Sequence, residues 1–193
     1  GSFLLSLSDM KWNLPNILTV ARLFLLPPMI LLFFLPFEWA AWTCLGLYVV
    51  GAITDFVDGW WARKFNQQTE FGAFMDPLSD KIFVITILLM LVAVERLESV
   101  WVLSVVIIII REFAVAGVRE FMGSNDMTLP VTKLAKWKTT MQMVATAVLI
   151  VGPFIWHGQL IGSLLLAGAS VITVITGWAY MRKGFEFLKT LKD

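Results

Sequence analysis

The sequence is poor in the residues on which small soluble domains depend. Charged residues fill only 15% of its 193 positions, where about a quarter is usual, so no charged shell can wrap a soluble core. A single cysteine, Cys44, excludes an intrachain disulfide and a thiolate zinc cluster. It lies in an apolar run and reads as a packing residue. The one histidine, His157, stands beside Gly158 and far in sequence from any carboxylate cluster, which makes it a solvated loop residue and not a ligand. No soluble domain, long linker or low-complexity tract is visible, and 123–130, with its glycine, asparagine, aspartate and proline, is the one longer loop. What fills the chain instead is apolar: 59% of residues are hydrophobic before the 13 glycines are counted, and the mean hydropathy is +0.81. Such a composition identifies an integral membrane protein.

Apolar stretches recur at 17–37, 39–54, 82–94, 99–110, 139–156 and 160–181, which predicts an all-α membrane protein of six transmembrane helices. Crossing the hydrocarbon takes about 20 residues at 1.5 Å each. The third and fourth stretches, with 13 and 12 residues, are too short alone. To span, helix 3 must take in Asp76 and Asp80, helix 2 must continue through Asp55 and Asp58, and helix 4 must run past Arg111 and Glu112. Ionisable groups at such depths cost several kcal/mol and persist where they line a polar cavity, so these are functional candidates by default. Pro27-Pro28 predicts a kink in helix 1. Eight tryptophans, Trp12, Trp39, Trp42, Trp60, Trp61, Trp101, Trp156 and Trp178, lie near predicted span ends as an aromatic belt.

With the N-terminus inside, fourteen of the fifteen basic residues fall on the cytoplasmic side and only Arg96 outside. That asymmetry predicts cytoplasmic termini and a polar cavity facing the cytosol. Residues 1–9 fit either a tag remnant, since Gly-Ser is a common one, or an interfacial segment begun by Phe3, Leu4, Leu5 and Leu7. Residues 10–193 read as a single six-helix domain.

The informative stretch runs from Asp55 through Asp58-Gly59 and Ala62-Arg63 to Gly72, Asp76 and Asp80. Asp55 and Asp58 are i,i+3, and Asp76 and Asp80 are i,i+4, so each pair shares a helix face. Helix 2 descends to the cytoplasm and helix 3 rises from it, which lets the pairs converge. Four carboxylates together repel unless cations neutralise them, and magnesium or manganese suits oxygen donors and phosphate. Two such ions can clamp the attacking and leaving oxygens of a phosphoryl transfer. Gly59 and Gly72 give a phosphate or a neighbouring helix close access to the backbone, and Arg63 offers a planar fork of donors. Taken singly, each aspartate could be an interfacial cap and each glycine a packing residue.

The whole set resembles the signature of the CDP-alcohol phosphotransferases: Asp, two residues, Asp-Gly, two residues, Ala-Arg, eight or nine residues, Gly, three residues, Asp, three residues, Asp. Every element is present here. The resemblance implies a dimeric enzyme that displaces CMP from a CDP-linked lipid with an acceptor alcohol, using two magnesium or manganese ions per site. It implies that Asp55, Asp58, Asp76 and Asp80 are metal ligands and that Asp80 is also the general base. It places Thr19, Asp58, Gly59, Ala62, Arg63 and Gly72 around CDP.

The signature does not choose the acceptor. Arg111 and Arg119, eight residues apart and about 80° around one helix, can face one cavity. With Lys133, Lys136 and Lys138 they suit an acceptor that carries a phosphate. The lysines equally fit anchoring to anionic headgroups, and Arg111 fits substrate contact or a buried ion pair with Glu112. The segments 13–22, 111–120 and 133–142 resemble the branch of the family that takes sn-glycerol 3-phosphate, with CDP-diacylglycerol as donor. Cardiolipin synthases and inositol phosphate synthases of the same family are the rivals. From another class, an ion or proton transporter also uses membrane carboxylates and arginines, but it spreads them across the membrane's depth. Here they crowd one face. No feature points to nucleic acid.

Overall fold

The computed structural model describes residues 13–65, 70–123 and 133–190. The readings of residues 1–9 and of the loop beyond 123 fall outside them. Six long helices make up the described chain: α1 (Leu14–Phe33), α2 (Glu38–Lys64), α3 (Glu70–Ala93), α4 (Val102–Gly123), α5 (Lys133–Val151) and α6 (Gly158–Thr190). Short 3-10 turns at Ser99–Trp101 and Gly152–Phe154 precede α4 and α6, and no strand occurs among the described residues. The chain divides into two compact units, one ending at Met90 and one beginning at Leu91.

Local chemistry sets the helix ends. Asn13 caps α1 by accepting from the Asn16 amide at 3.2 Å, and Pro15 occupies the first turn, where its missing N–H costs nothing. Pro36 stops α1 short of the 17–37 stretch expected: it bars Leu35 from helical geometry, and the chain closes with Phe34 and Leu35 amides on the Leu31 and Leu32 carbonyls. Pro27 and Pro28 lie inside α1, which continues through them. As expected, α2 runs past Asp55 and Asp58, α3 includes Asp76 and Asp80, and α4 continues beyond Arg111 and Glu112.

Four helical segments are long and apolar enough to cross a membrane: Leu14–Phe33, Glu38–Ala62, Ser99–Gly123 and Gly158–Thr190. The other two helices carry their charge in their first half, α3 with Glu70, Asp76, Asp80 and Lys81, and α5 with Lys133, Lys136 and Lys138. That charge is what separates four membrane-capable helices from the six spans expected. Phe24, Leu31, Phe56, Ile110, Val171 and Trp178 are each more than half exposed, an outward apolar surface that lipid, not water, would cover.

In the first unit α1 and α2 pack along each other. Met29 and Phe33 on α1 and Ala40, Ala41 and Cys44 on α2 are buried, and the small α2 side chains permit close approach. The Cys44 thiol points at the Met29 carbonyl, 4.0 Å away, as its packing role predicts. Gly51, one turn before Asp55, brings α3 against α2. A Cβ there would lie 2.6 Å from Phe83 Cζ, and the Phe83 ring is stacked on Tyr48 at 5.9 Å between centroids. This contact draws together the two helices that carry the aspartates.

In the second unit α4 and α5 both pack on α6. The buried face of α6 is built of small or hydroxylated residues, among them Gly162, Ser163, Ala169, Ser170, Thr173, Thr176, Gly177 and Gly184, the composition that lets membrane helices pack closely. Ser163, Ser170 and Thr176 return their hydroxyl protons to carbonyls of the preceding turn. Arg96, the one basic residue that the charge count puts outside, is buried at 6% exposure. The reason is the turn that ends α3, where the Arg96 and Leu97 amides both bond back to the Leu91 carbonyl and fold the chain over the helix end. His157 is exposed, as expected.

Candidate active site

The carboxylate site is assembled from α1, α2 and α3 within the first unit. Asn16, Thr19 and Arg22 recur every three residues along α1 and are 2%, 0% and 2% exposed, so an otherwise apolar helix presents one buried polar stripe. Arg22 reaches across to α2, where Nη1 pairs with Asp55 Oδ1 at 2.8 Å and Nη2 with Asp58 Oδ2 at 2.9 Å. Its Nη1 also donates to Ser79 Oγ on α3 at 3.3 Å. The Thr19 hydroxyl lies 2.7 Å from Asp76 Oδ1, 3.2 Å from Asp58 Oδ2 and 3.0 Å from the Pro15 carbonyl. A hydroxyl has one proton, so it can satisfy only one of these three oxygens at a time.

Three of the four signature aspartates are thereby linked, Asp55 to Asp58 through Arg22 and Asp58 to Asp76 through Thr19. Among these side chains one guanidinium pairs with two carboxylates, while Asp76 meets the Thr19 hydroxyl. Asp55 is half exposed, Asp58 enclosed, and Asp80 exposed one turn beyond Asp76. Among the described residues no three acidic, histidine or cysteine side chains surround a common point. Arg22 and Thr19 take up the carboxylate oxygens instead. Even so, hard oxygens are the donor set that divalent cations such as magnesium or manganese prefer.

Of the residues assigned to CDP, Gly59 and Ala62 are half-buried in the last turns of α2, Gly72 is buried on α3, and Thr19 faces the carboxylates. Arg63 lies in α2, with its side chain outside the described residues. Arg22 and Ser79 were missed. The signal for Arg22 is the three-residue spacing of Asn13, Asn16, Thr19 and Arg22 within an apolar helix.

The second unit gathers the basic residues of α4 and α5. Arg111 Nη1 meets Glu112 Oε1 at 3.2 Å, and the same oxygen pairs with Lys138 Nζ. Arg111 Nη2 also donates to Thr176 Oγ1 on α6 at 3.4 Å. It can lie across α6 because residue 177 is glycine, where a Cβ would come within 2.9 Å of Arg111 Cγ. Arg119 donates to the Tyr180 hydroxyl at 3.3 Å, and both guanidinium groups lie over the Tyr180 ring, at 5.1 Å for Arg119 and 5.9 Å for Arg111. So Arg111, Arg119 and Lys138 are brought together, whereas Lys133 and Lys136 are exposed at the start of α5. Beside them a cavity of about 170 Å³ is lined by Thr176, Tyr180 and Lys183 with Leu134, Ile175 and Ala179. Thr176 and Tyr180 were not foreseen; Tyr180 is one of only two tyrosines in the chain.

Comparison with known proteins bears on what this arrangement is for. A family model described as CDP-alcohol phosphatidyltransferase matches residues 12–178. A protein of Cereibacter sphaeroides named CDP-diacylglycerol--glycerol-3-phosphate 3-phosphatidyltransferase is 37% identical, the match covering 95% of this chain and 100% of that protein. One of the same name from Rickettsia typhi is 39% identical, covering 88% of this chain and 96% of its own length. Another from Salmonella choleraesuis is 38% identical over 89% and 94%. With the signature aspartates on α2 and α3, three of them linked through α1, and the match extending over most of its length, the chain belongs to the CDP-alcohol phosphatidyltransferase family.

Proposed function

We propose that this protein transfers the phosphatidyl group of CDP-diacylglycerol to sn-glycerol 3-phosphate, giving phosphatidylglycerophosphate and CMP. The observation that carries the choice of acceptor is the grouping of Arg111, Arg119 and Lys138 around Glu112 and Tyr180, a set of charge-assisted donors suited to a phosphate. Relatives aligned over nearly their whole length are named for this acceptor, and their names leave the transporter reading without support.

In this reading the primary hydroxyl of the acceptor attacks the phosphatidyl phosphorus, a P–O bond forms, and the P–O bond to CMP breaks. Asp80, exposed on α3, takes the hydroxyl proton. Asp55, Asp58 and Asp76 together with Asp80 would hold magnesium or manganese, two ions per site, which supply positive charge against the diphosphate. Thr19 and Arg22 orient the carboxylates. Gly59, Ala62, Arg63 and Gly72 receive the CDP moiety, and Arg111 and Arg119, with Lys133, Lys136 and Lys138, hold the acceptor phosphate.

Residues 10–193 work as one catalytic domain, as a homodimer in the cytoplasmic membrane. All six helices span the bilayer, and the termini and the site face the cytosol. The fourteen-to-one distribution of basic residues supports this orientation. Because Cys44 is buried, cysteines introduced singly are the ones labelled. In intact cells an impermeant thiol reagent is expected to label position 157 and to spare position 64, both exposed; the reverse pattern would contradict the orientation.

The function itself is tested by offering the purified protein CDP-diacylglycerol with glycerol 3-phosphate, phosphatidylglycerol or an inositol phosphate. Phosphatidylglycerophosphate is the expected product. Cardiolipin formed from phosphatidylglycerol in preference would replace this reading with that of a cardiolipin synthase.

A further inference from the structure

Arg22 has only the look of an inside-facing anchor. Its side chain is 2% exposed, and its terminal nitrogens join Asp55, Asp58 and Ser79, groups from two helices at once. Its Nε has no hydrogen-bond partner among the described residues, so the guanidinium is held by its two Nη ends alone. The two arms differ in surroundings: the Asp58 carboxylate is 4% exposed, while that of Asp55 is 49% exposed. A cation arriving from solvent therefore meets the Asp55 arm first.

We propose that Arg22 is the resident counter-cation of the carboxylate site: it neutralises Asp55 and Asp58 while no divalent ion is bound, and it competes with that ion for Asp55. The inference rests on the reading of these aspartates as metal ligands. A guanidinium and a divalent cation cannot both sit against the same oxygens without repelling each other. Removing one partner of a buried ion pair also leaves the other charge uncompensated. Arg22 thus keeps Asp58 ordered in the metal-free protein and, by competing, weakens metal binding relative to a site without it. Thr19 acts beside it, its one proton serving Asp76 or Asp58 but not both. Arg22 is a positioning residue, and touches no reacting atom in this account.

The test uses the full chain in detergent, stripped of metal, with Arg22→Gln and Arg22→Lys as variants. Thermal melting is recorded with and without Mn²⁺, and Mn²⁺ affinity is measured from the electron paramagnetic resonance signal of the free ion, with no substrate present. Arg22→Gln is expected to melt below wild type when metal-free, to gain more from Mn²⁺, and to bind Mn²⁺ roughly tenfold more tightly. Arg22→Lys keeps the charge but not the fork and is expected to fall between the two in both measurements. Should Arg22→Gln fail to fold, Arg22→Lys decides. Unchanged or weaker Mn²⁺ binding in a folded variant would make Arg22 a structural support only and overturn the proposal, with the metal reading intact. No Mn²⁺ binding by wild type or variant would overturn the metal reading itself, and the proposal with it.

Discussion

Asp80→Asn is expected to lower kcat by roughly 10²–10⁴-fold, the contribution of a positioned general base, with CDP-diacylglycerol still bound. The amide keeps the size of the carboxyl group but cannot accept the proton of the attacking hydroxyl. Asp55, Asp58 and Asp76 keep their links through Arg22 and Thr19, and the amide oxygen at position 80 can still accept a hydrogen bond. Asp80 is the exposed member on α3, one turn from Asp76, where a water-soluble acceptor can reach it. Rate of CMP release and binding of CDP-diacylglycerol are measured on the same preparation. A near wild-type kcat would move the base elsewhere, and loss of binding equal to the loss of rate would make Asp80 a substrate-binding or metal-holding group first.

Arg111→Gln is expected to raise the KM for glycerol 3-phosphate about 10- to 100-fold. A hydrogen bond between charged partners contributes about 1.5–3 kcal/mol, and 1.4 kcal/mol is a factor of ten. The loss falls on KM if the contact is equally strong in ground and transition states. Arg111 also pairs with Glu112, which itself holds Lys138, so the substitution has a structural side. The two effects separate by substrate: affinity for CDP-diacylglycerol is expected to change little. Equal loss for both substrates would assign Arg111 to a structural ion pair, and no loss for either would leave the basic group as membrane anchoring.

Helical spacing and span length carried the reading of α2, α3 and α4 a long way. A stretch too short to span must borrow its charged neighbours, and Asp55, Asp58, Asp76, Arg111 and Glu112 are indeed inside helices. Local pattern cannot say which helix supplies the partner. Arg22 and Asp58 are 36 residues apart, and Thr19 and Asp76 are 57 apart, so the ion pairs that knit the site depend on helix packing. Counting basic residues by side treated Arg22 as one of fourteen, whereas burial distinguishes it. Tyr180 escaped for a related reason: in a long apolar helix it reads as packing until Arg111 and Arg119 are seen over its ring. The burial of Arg96 was not legible because charge says on which side a residue lies and not whether a turn folds over it.

The most direct measurement follows isotope-labelled glycerol 3-phosphate into lipid while CMP release is counted in the same reaction. One CMP is expected for each labelled glycerol phosphate incorporated, with both falling together in Asp80→Asn. CMP released without label entering lipid, or label entering lipid without CMP, would contradict the transfer reaction proposed for this protein.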